Sequence, residues 1–298
     1  MAMTASANAT PTGPATPTLL APIGWIGRAA SAILGHLGAS LLLTFAAAGA
    51  VLRGRIHADE PSLRVATMHE LSWMLGAGLP LVGLVHVAMG SFLSMQAYFG
   101  STFVDGTGAV VGVGLLRNLA SIMTGLTLAG LLPGRIVPEL RRARNAATAG
   151  DDAASRPSPG RLAAARILAA VAATPLLSLW GCVVGTVVGW KSSEALMGLS
   201  TDMYFLMLVR MLWFRDVVGV IVKGMTFGLV TAVLACAEGL ADGGSRPGAD
   251  EAAALTTSVV RAACLAMAAI LLINMTWFLF VYHAVPIYGP SLLQPPTP

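Results

Sequence analysis

The chain has 298 residues, of which 56% are hydrophobic and only 11% charged. Soluble domains carry about 25% charged residues, so the composition excludes an ordinary water-soluble domain and points to an integral membrane protein. The net charge of +4 comes from 18 cations, 16 of them Arg, set against 14 acids. The arginines cluster in segments between apolar runs, a pattern of membrane orientation rather than of nucleic-acid binding.

Residues 1–24 are rich in Ala, Thr and Pro and carry no charged side chain. A secretory signal needs a positive region ahead of its apolar core, so this stretch reads as a disordered leader. Residues 29–52, including SAILGHLGASLLLTFAAAGAVL, are uncharged and long enough to cross a hydrocarbon core of about 30 Å. The same run also suits a helix lying in the interface, and the uncharged leader fits either side. The next apolar runs are Trp73 to Phe99, then 107–133 interrupted only by Arg117, then 164–190 with Pro175 inside it. Residues 216–240 and about Leu255 to His283 complete the set, and a Pro-rich tail covers 286–298. The expected fold is an all-α integral membrane protein, with an N-terminal interfacial or membrane-embedded helix followed by five transmembrane helices.

Between the third and fourth runs lies GRIVPELRRARNAATAGDDAASRPSPGR, which holds six arginines. The positive-inside rule puts residues 134–163 in the cytoplasm. The flanking loops at 100–106 and 191–202 are poor in cations, and by alternation 53–70 and 241–254 fall inside. The stretch 203–215, MYFLMLVRMLWFR, is too short to cross and suits an interfacial helix on the outer face. Asp250 and Glu251 precede the last run, where acids favour a helix N-terminus.

Gly181, Gly185 and Gly189 recur every four residues on one helix face, as do Gly224 and Gly228. Small residues at that spacing let backbones approach closely in lipid, which predicts a tight bundle or a dimer seam. Asp216, Lys223, Thr231 and Glu238 share one face of the fifth run. Lys223 lies about 10 Å inside the outer end of that run, at the depth of Arg117 in the third. An intramembrane cation is costly unless it faces protein or water. Two cations at one depth, with no acid assigned there, predict a positive band able to attract a phosphate or carboxylate head group. The alternative is that Lys223 snorkels outward to Asp216.

Signatures of an enzyme are absent: no H-E-x-x-H, no G-x-S-x-G, and a glycine-to-lysine spacing in GTVVGWKSS that is wrong for a nucleotide-binding loop. The three cysteines, Cys182, Cys236 and Cys264, lie in apolar runs and read as small buried residues. His86 reads as a helix-packing residue. No metal and no cofactor is expected in this chain.

Taken in order, the runs resemble the MlaE/YrbE family of ABC transporter permeases, which work with MCE-domain proteins. The best match, D-x-x-x-x-x-x-K-G-x-x-F-G, falls on Asp216, Lys223, Gly224, Phe227 and Gly228. It continues through Ala235, Cys236 and Gly239 to Thr256, Thr257, Val259 and Val260. Arg166, Leu168, Ala169, Pro175, Leu176 and Leu177 resemble a second family span. Leu79, Pro80, Gly90 and Gln96 resemble the first core span, and Leu116, Arg117, Leu119, Ala129 and Gly130 another. The resemblance covers about 65–283, within a permease domain of 25–285.

The resemblance implies an interfacial N-terminal helix, five core spans and a dimer with a second permease copy or a paralogue. It implies lipid movement between a bacterial inner membrane and the cell envelope, with an MCE-domain protein as partner and ATP hydrolysis on a separate cytoplasmic ABC ATPase. Arg117, Lys223, Gln96, Pro80 and Thr231 are then expected along a lipid path, and Glu139, Arg141, Arg142 and Arg144 at the ATPase coupling region. Two differences stand out. The family's R-E-L-G-P reads Arg117-Asn118-Leu119-Ala120-Ser121 here, which removes an intramembrane acid. RNAATAGDDAAS replaces the family's T-E-Q-x-D-A-L, and Pro157, Pro159 and Gly160 disfavour a long helix there. A non-transporting or heteromeric membrane scaffold derived from such a permease is the alternative reading.

Overall fold

A computed structural model describes residues 21–53, 62–100, 109–149, 158–241 and 251–283. The residues before 21, the tail at 286–298, and Asp105 and Asp250 lie outside them. Among the described residues every regular element is helical: α1 (Ala21–Arg53), α2 (Leu63–Gly100), two π-helical turns (Ala109–Val113 and Leu115–Leu119) leading into α3 (Ala120–Ala149), α4 (Pro159–Met197), α5 (Thr201–Met211), α6 (Phe214–Leu240) and α7 (Glu251–Trp277), which ends in a further π-helical turn to His283. Six of these helical stretches are long and apolar enough to cross a bilayer. Lipid offers no hydrogen-bonding partner, so a spanning backbone must satisfy itself within the helix. α1 starts at Ala21, inside the segment expected to be a disordered leader.

The helices overrun the apolar runs that predicted them. α2 and α4 have 38 and 39 residues, about 57 Å at 1.5 Å per residue, against a hydrocarbon core of about 30 Å. α3 stays helical to Ala149, and α4 begins with Pro159 in its first turn. Most of 134–163 is therefore helix rather than loop. Proline is tolerated in a first turn, where no intrahelical donor is needed, so Pro159 opens α4 ahead of the apolar run that predicted it.

α4 is the hub, touching α1, α2, α3 and α6. Its glycines explain why. A Cβ on Gly181 would overlap the His86 ring of α2, and one on Gly185 would reach Leu115 at 2.9 Å. Gly90 of α2 sits against the Gly185 carbonyl and the Gly189 amide. On the opposite side, Gly224 of α6 meets Pro175, and Gly228 meets the Ala170 carbonyl and Thr174 Oγ1. These glycines thus pack within one chain. Ser94 ties the α2–α4 contact at its outer end by donating to the Gly189 carbonyl at 2.8 Å. His86 is buried, and its Nδ1 bonds the Val82 carbonyl at 2.7 Å.

α1 lies across one end of this bundle. His36 reaches Glu238 near the C-terminus of α6 at 3.5 Å, while Ala46 packs on Gly160 at the N-terminus of α4. Those two α1 residues are about 15 Å apart along the helix, yet both partners belong to the arginine-rich end. Over His36–Ala47, α1 therefore runs along that end rather than down the spans. At the other end α4 stops at Gly198, whose φ of 65° is the left-handed conformation that favours glycine. Ser200 caps α5 by accepting from the Met203 amide. The expected single helix over 203–215 is broken: Leu212 and Trp213 are extended, and α6 starts at Phe214. Cys182 and Cys236 are buried, whereas Cys264 faces outward on α7, because α7 packs with only one stripe of its surface.

Gly90→Val should lower stability by about 1–3 kcal/mol, because its neighbour is backbone that cannot rotate away. Thermal unfolding of the purified protein in detergent, against Gly76→Val at an open site, should show a reduced midpoint for the first variant only.

Candidate functional site

The polar centre at the end away from the arginine-rich segment is built by three elements. The π-helical turn at 115–119 carries Arg117, and its ladder is shifted by one residue: the Ala120 amide donates to the Leu115 carbonyl. π-turns of this kind recur at functional sites. The first turn of α6 carries Asp216, which is wholly buried. Seven residues on, about 10 Å along the same face, α6 carries Lys223, 1% exposed.

Arg117 Nε donates to Asp216 Oδ1 at 3.1 Å, and Arg117 Nη2 donates to the Met211 carbonyl at 3.2 Å. The other carboxylate oxygen, Oδ2, accepts from the Trp213 amide at 3.1 Å. Asp216 thus closes the N-terminus of α6, where a negative charge is favourable, and neutralises Arg117. Lys223 Nζ donates to the main-chain carbonyl of Arg117. The expected positive band without an acid is corrected: Asp216 belongs to the same centre. The snorkelling alternative is corrected too, since Lys223 is buried in the bundle and donates to the Arg117 carbonyl rather than reaching the surface. The Arg117 side chain is 33% exposed, so the centre opens to the protein surface on one side.

The other residues expected on a lipid path are not gathered here. Thr231 is buried on the same face of α6, about 12 Å farther along. Pro80 and Gln96 are both exposed on α2. The face shared by Asp216, Lys223, Thr231 and Glu238 is buried throughout.

At the arginine-rich end most of the expected coupling residues are engaged inside the chain. Glu139 accepts from Arg135 Nε at 2.7 Å and from Arg166 Nη2 at 3.0 Å. Arg141 is buried and donates to Ser258 of α7 at 2.8 Å. Arg144 donates to the Leu240 and Ala241 carbonyls, capping the C-terminus of α6. Arg142 is exposed, at the wall of a cleft of about 400 Å³ that also involves Asn145, Glu251 and Leu255. Three residues not singled out in the sequence matter here. Glu70 of α2 pairs with Arg135 and Arg166, Trp73 lies 4.0 Å under the Arg135 guanidinium, and Arg261 of α7 makes a two-toothed pair with buried Glu238. Each partner comes from another helix, so no sequence spacing announced them.

An all-helical, multi-pass membrane protein with a buried charged centre at one end and interhelical ion pairs at the other is the class that these features define. The chain belongs to the family described as Permease MlaE, which it matches over residues 67–279. It is 28% identical over 199 residues to a "Probable ABC transporter permease protein" of Rickettsia typhi, covering 65% of this chain and 75% of that one. It is 24% identical over 259 residues to a protein of that name in Rickettsia felis, covering 85% and 96%. A similarly named protein of Synechocystis matches at 24% identity over 239 residues, covering 77% and 85%. The chain is thus an ABC transporter permease of the MlaE family.

Asp216→Asn should destabilise the protein by about 1–3 kcal/mol, since it removes the anion from a largely buried charged hydrogen bond. In a double-mutant cycle with Arg117→Gln, thermal unfolding should give a coupling energy of at least about 0.5 kcal/mol.

Proposed function

We propose that this chain is the permease subunit of an MCE-associated ABC system that moves phospholipid or a related lipid between a bacterial inner membrane and the cell envelope. The observation that carries this reading is the Arg117–Asp216–Lys223 centre. It places two cations and one acid, a net positive charge, in the outer half of an apolar bundle, open on one side through Arg117. A phosphate head group entering there would compete with Asp216 for Arg117 and meet Lys223 behind it, because ionised acceptors bind guanidinium and ammonium groups strongly. Acyl chains would remain against the apolar helix faces.

The outward position of Pro80 and Gln96 supports a path completed outside one chain, by a second permease copy or a paralogue. ATP hydrolysis is assigned to a separate cytoplasmic ABC ATPase, in keeping with the name borne by the relatives. Its contact is assigned to the α3 extension beyond Glu139, where Arg142 is exposed. The bacterial relatives and the clustering of arginine at one end support the inner membrane as location.

One observation favours the scaffold alternative. Glu139, Arg141 and Arg144 are occupied by partners within the chain, which leaves a smaller polar surface for a motor subunit.

Mild-detergent purification from the native membrane should recover an ATPase and an MCE-domain protein in stoichiometric amounts. In proteoliposomes of that complex, Lys223→Met should reduce transfer of an anionic lipid by about tenfold or more, the worth of one charged hydrogen bond. Unchanged transfer would remove the head-group role, and recovery without an ATPase would favour the scaffold.

A further inference from the structure

α3 runs without a break from Ala120 to Ala149, yet it contains Pro133 and Pro138. Each proline lacks an amide hydrogen and crowds the carbonyl four residues earlier, so the helix loses two rungs within about one and a half turns. This weakened stretch joins the membrane span to the cytoplasmic extension.

Four charged side chains close around it. The Arg135–Glu139 hydrogen bond, 2.7 Å long, spans Pro138 along the helix. Arg135 Nη2 also lies 3.6 Å from Glu70 Oε2, and Trp73 supports its guanidinium from below. Arg166 of α4 donates to Glu139 Oε2 at 3.0 Å and lies 3.5 Å from Glu70 Oε1. Two acids and two arginines from α2, α3 and α4 thus form a neutral closed ring. Glu70 is buried at 8% exposure, so the ring cannot open without leaving a poorly solvated charge. Packed interfaces of this kind switch between discrete arrangements rather than deform continuously.

We infer that Glu70, Arg135, Glu139 and Arg166 form an ionic clamp across a proline hinge in α3, and that the clamp passes movement of the cytoplasmic extension to α2 and α4. Glu70 is a positioning residue of this device. The inference rests on the transporter reading, because movement of the extension is ascribed to the ATPase.

The experiment uses the full complex in proteoliposomes of anionic phospholipid, with ATPase co-purification, basal ATPase rate and lipid-stimulated rate as readouts. Glu70→Gln opens the ring while keeping the side-chain shape. It should leave assembly and basal rate unchanged and lower the lipid-stimulated rate by about fivefold, within the range of measured coupling energies. Glu70→Asp, which keeps the charge, should retain most of the stimulation. Pro138→Ala restores a helix rung; it should raise the unfolding temperature and yet also lower stimulation, by stiffening the hinge. A structural role alone would link stability and stimulation in the same direction. Normal stimulation in both Glu70→Gln and Pro138→Ala overturns the clamp while the transporter reading stands. A wild-type complex that assembles with an ATPase but shows no lipid stimulation overturns that reading and the clamp with it.

Discussion

The fold depends on backbone contact between α4 and its neighbours. In lipid, apolar side chains gain nothing by leaving one hydrocarbon surface for another, so helices must associate through close packing and polar contacts. α4 meets this condition on two sides. Gly181, Gly185 and Gly189 admit the His86 ring and the backbone of α2, while Pro175 and Ala170 receive Gly224 and Gly228 of α6. Ser94 then bonds the Gly189 carbonyl across the first contact. With α2 and α6 held against α4, α3 packs along α6 and completes the interior.

Charged groups within that interior are arranged by end. At one end, a π-turn, a helix N-terminus and a buried lysine converge, and the acid that balances them comes from the first turn of α6. At the arginine-rich end, carboxylates of α2, α3 and α6 are paired with arginines of α3, α4 and α7. The two groups differ in what they leave available. The outer centre keeps Lys223 hydrogen-bonded to a neutral carbonyl, so its charge is not cancelled directly. The inner pairs cancel one another and join helices to each other.

The C-terminal extension of α3 links the pairs at the arginine-rich end to the surface. Arg141 holds it to α7 and Arg144 to the end of α6, so these arginines anchor the extension to the bundle. The same side chains that make the extension part of the bundle are thereby engaged within the chain rather than by an external partner.

Much of this protein was legible without coordinates, for physical reasons. Hydrocarbon thickness and the cost of charge within it make apolar runs readable as spans, and the arginine bias orients them. The 3.6-residue period placed Asp216, Lys223, Thr231 and Glu238 on one face before that face was seen to be buried. Glycine spacing announced close approach, but only the tertiary structure showed that the approach is internal. The segment 134–163, expected as a loop, is helical over 134–149 and again from Pro159, because charge and hydropathy mark where an apolar run ends and not where a helix does. The pairing of Arg117 with Asp216 and the ring of Glu70, Arg135, Glu139 and Arg166 belong to the tertiary structure alone. Their partners lie on different helices, up to about a hundred residues apart in the chain, and charge pairing acts through space over a few ångströms. Periodicity within one helix carries no record of it.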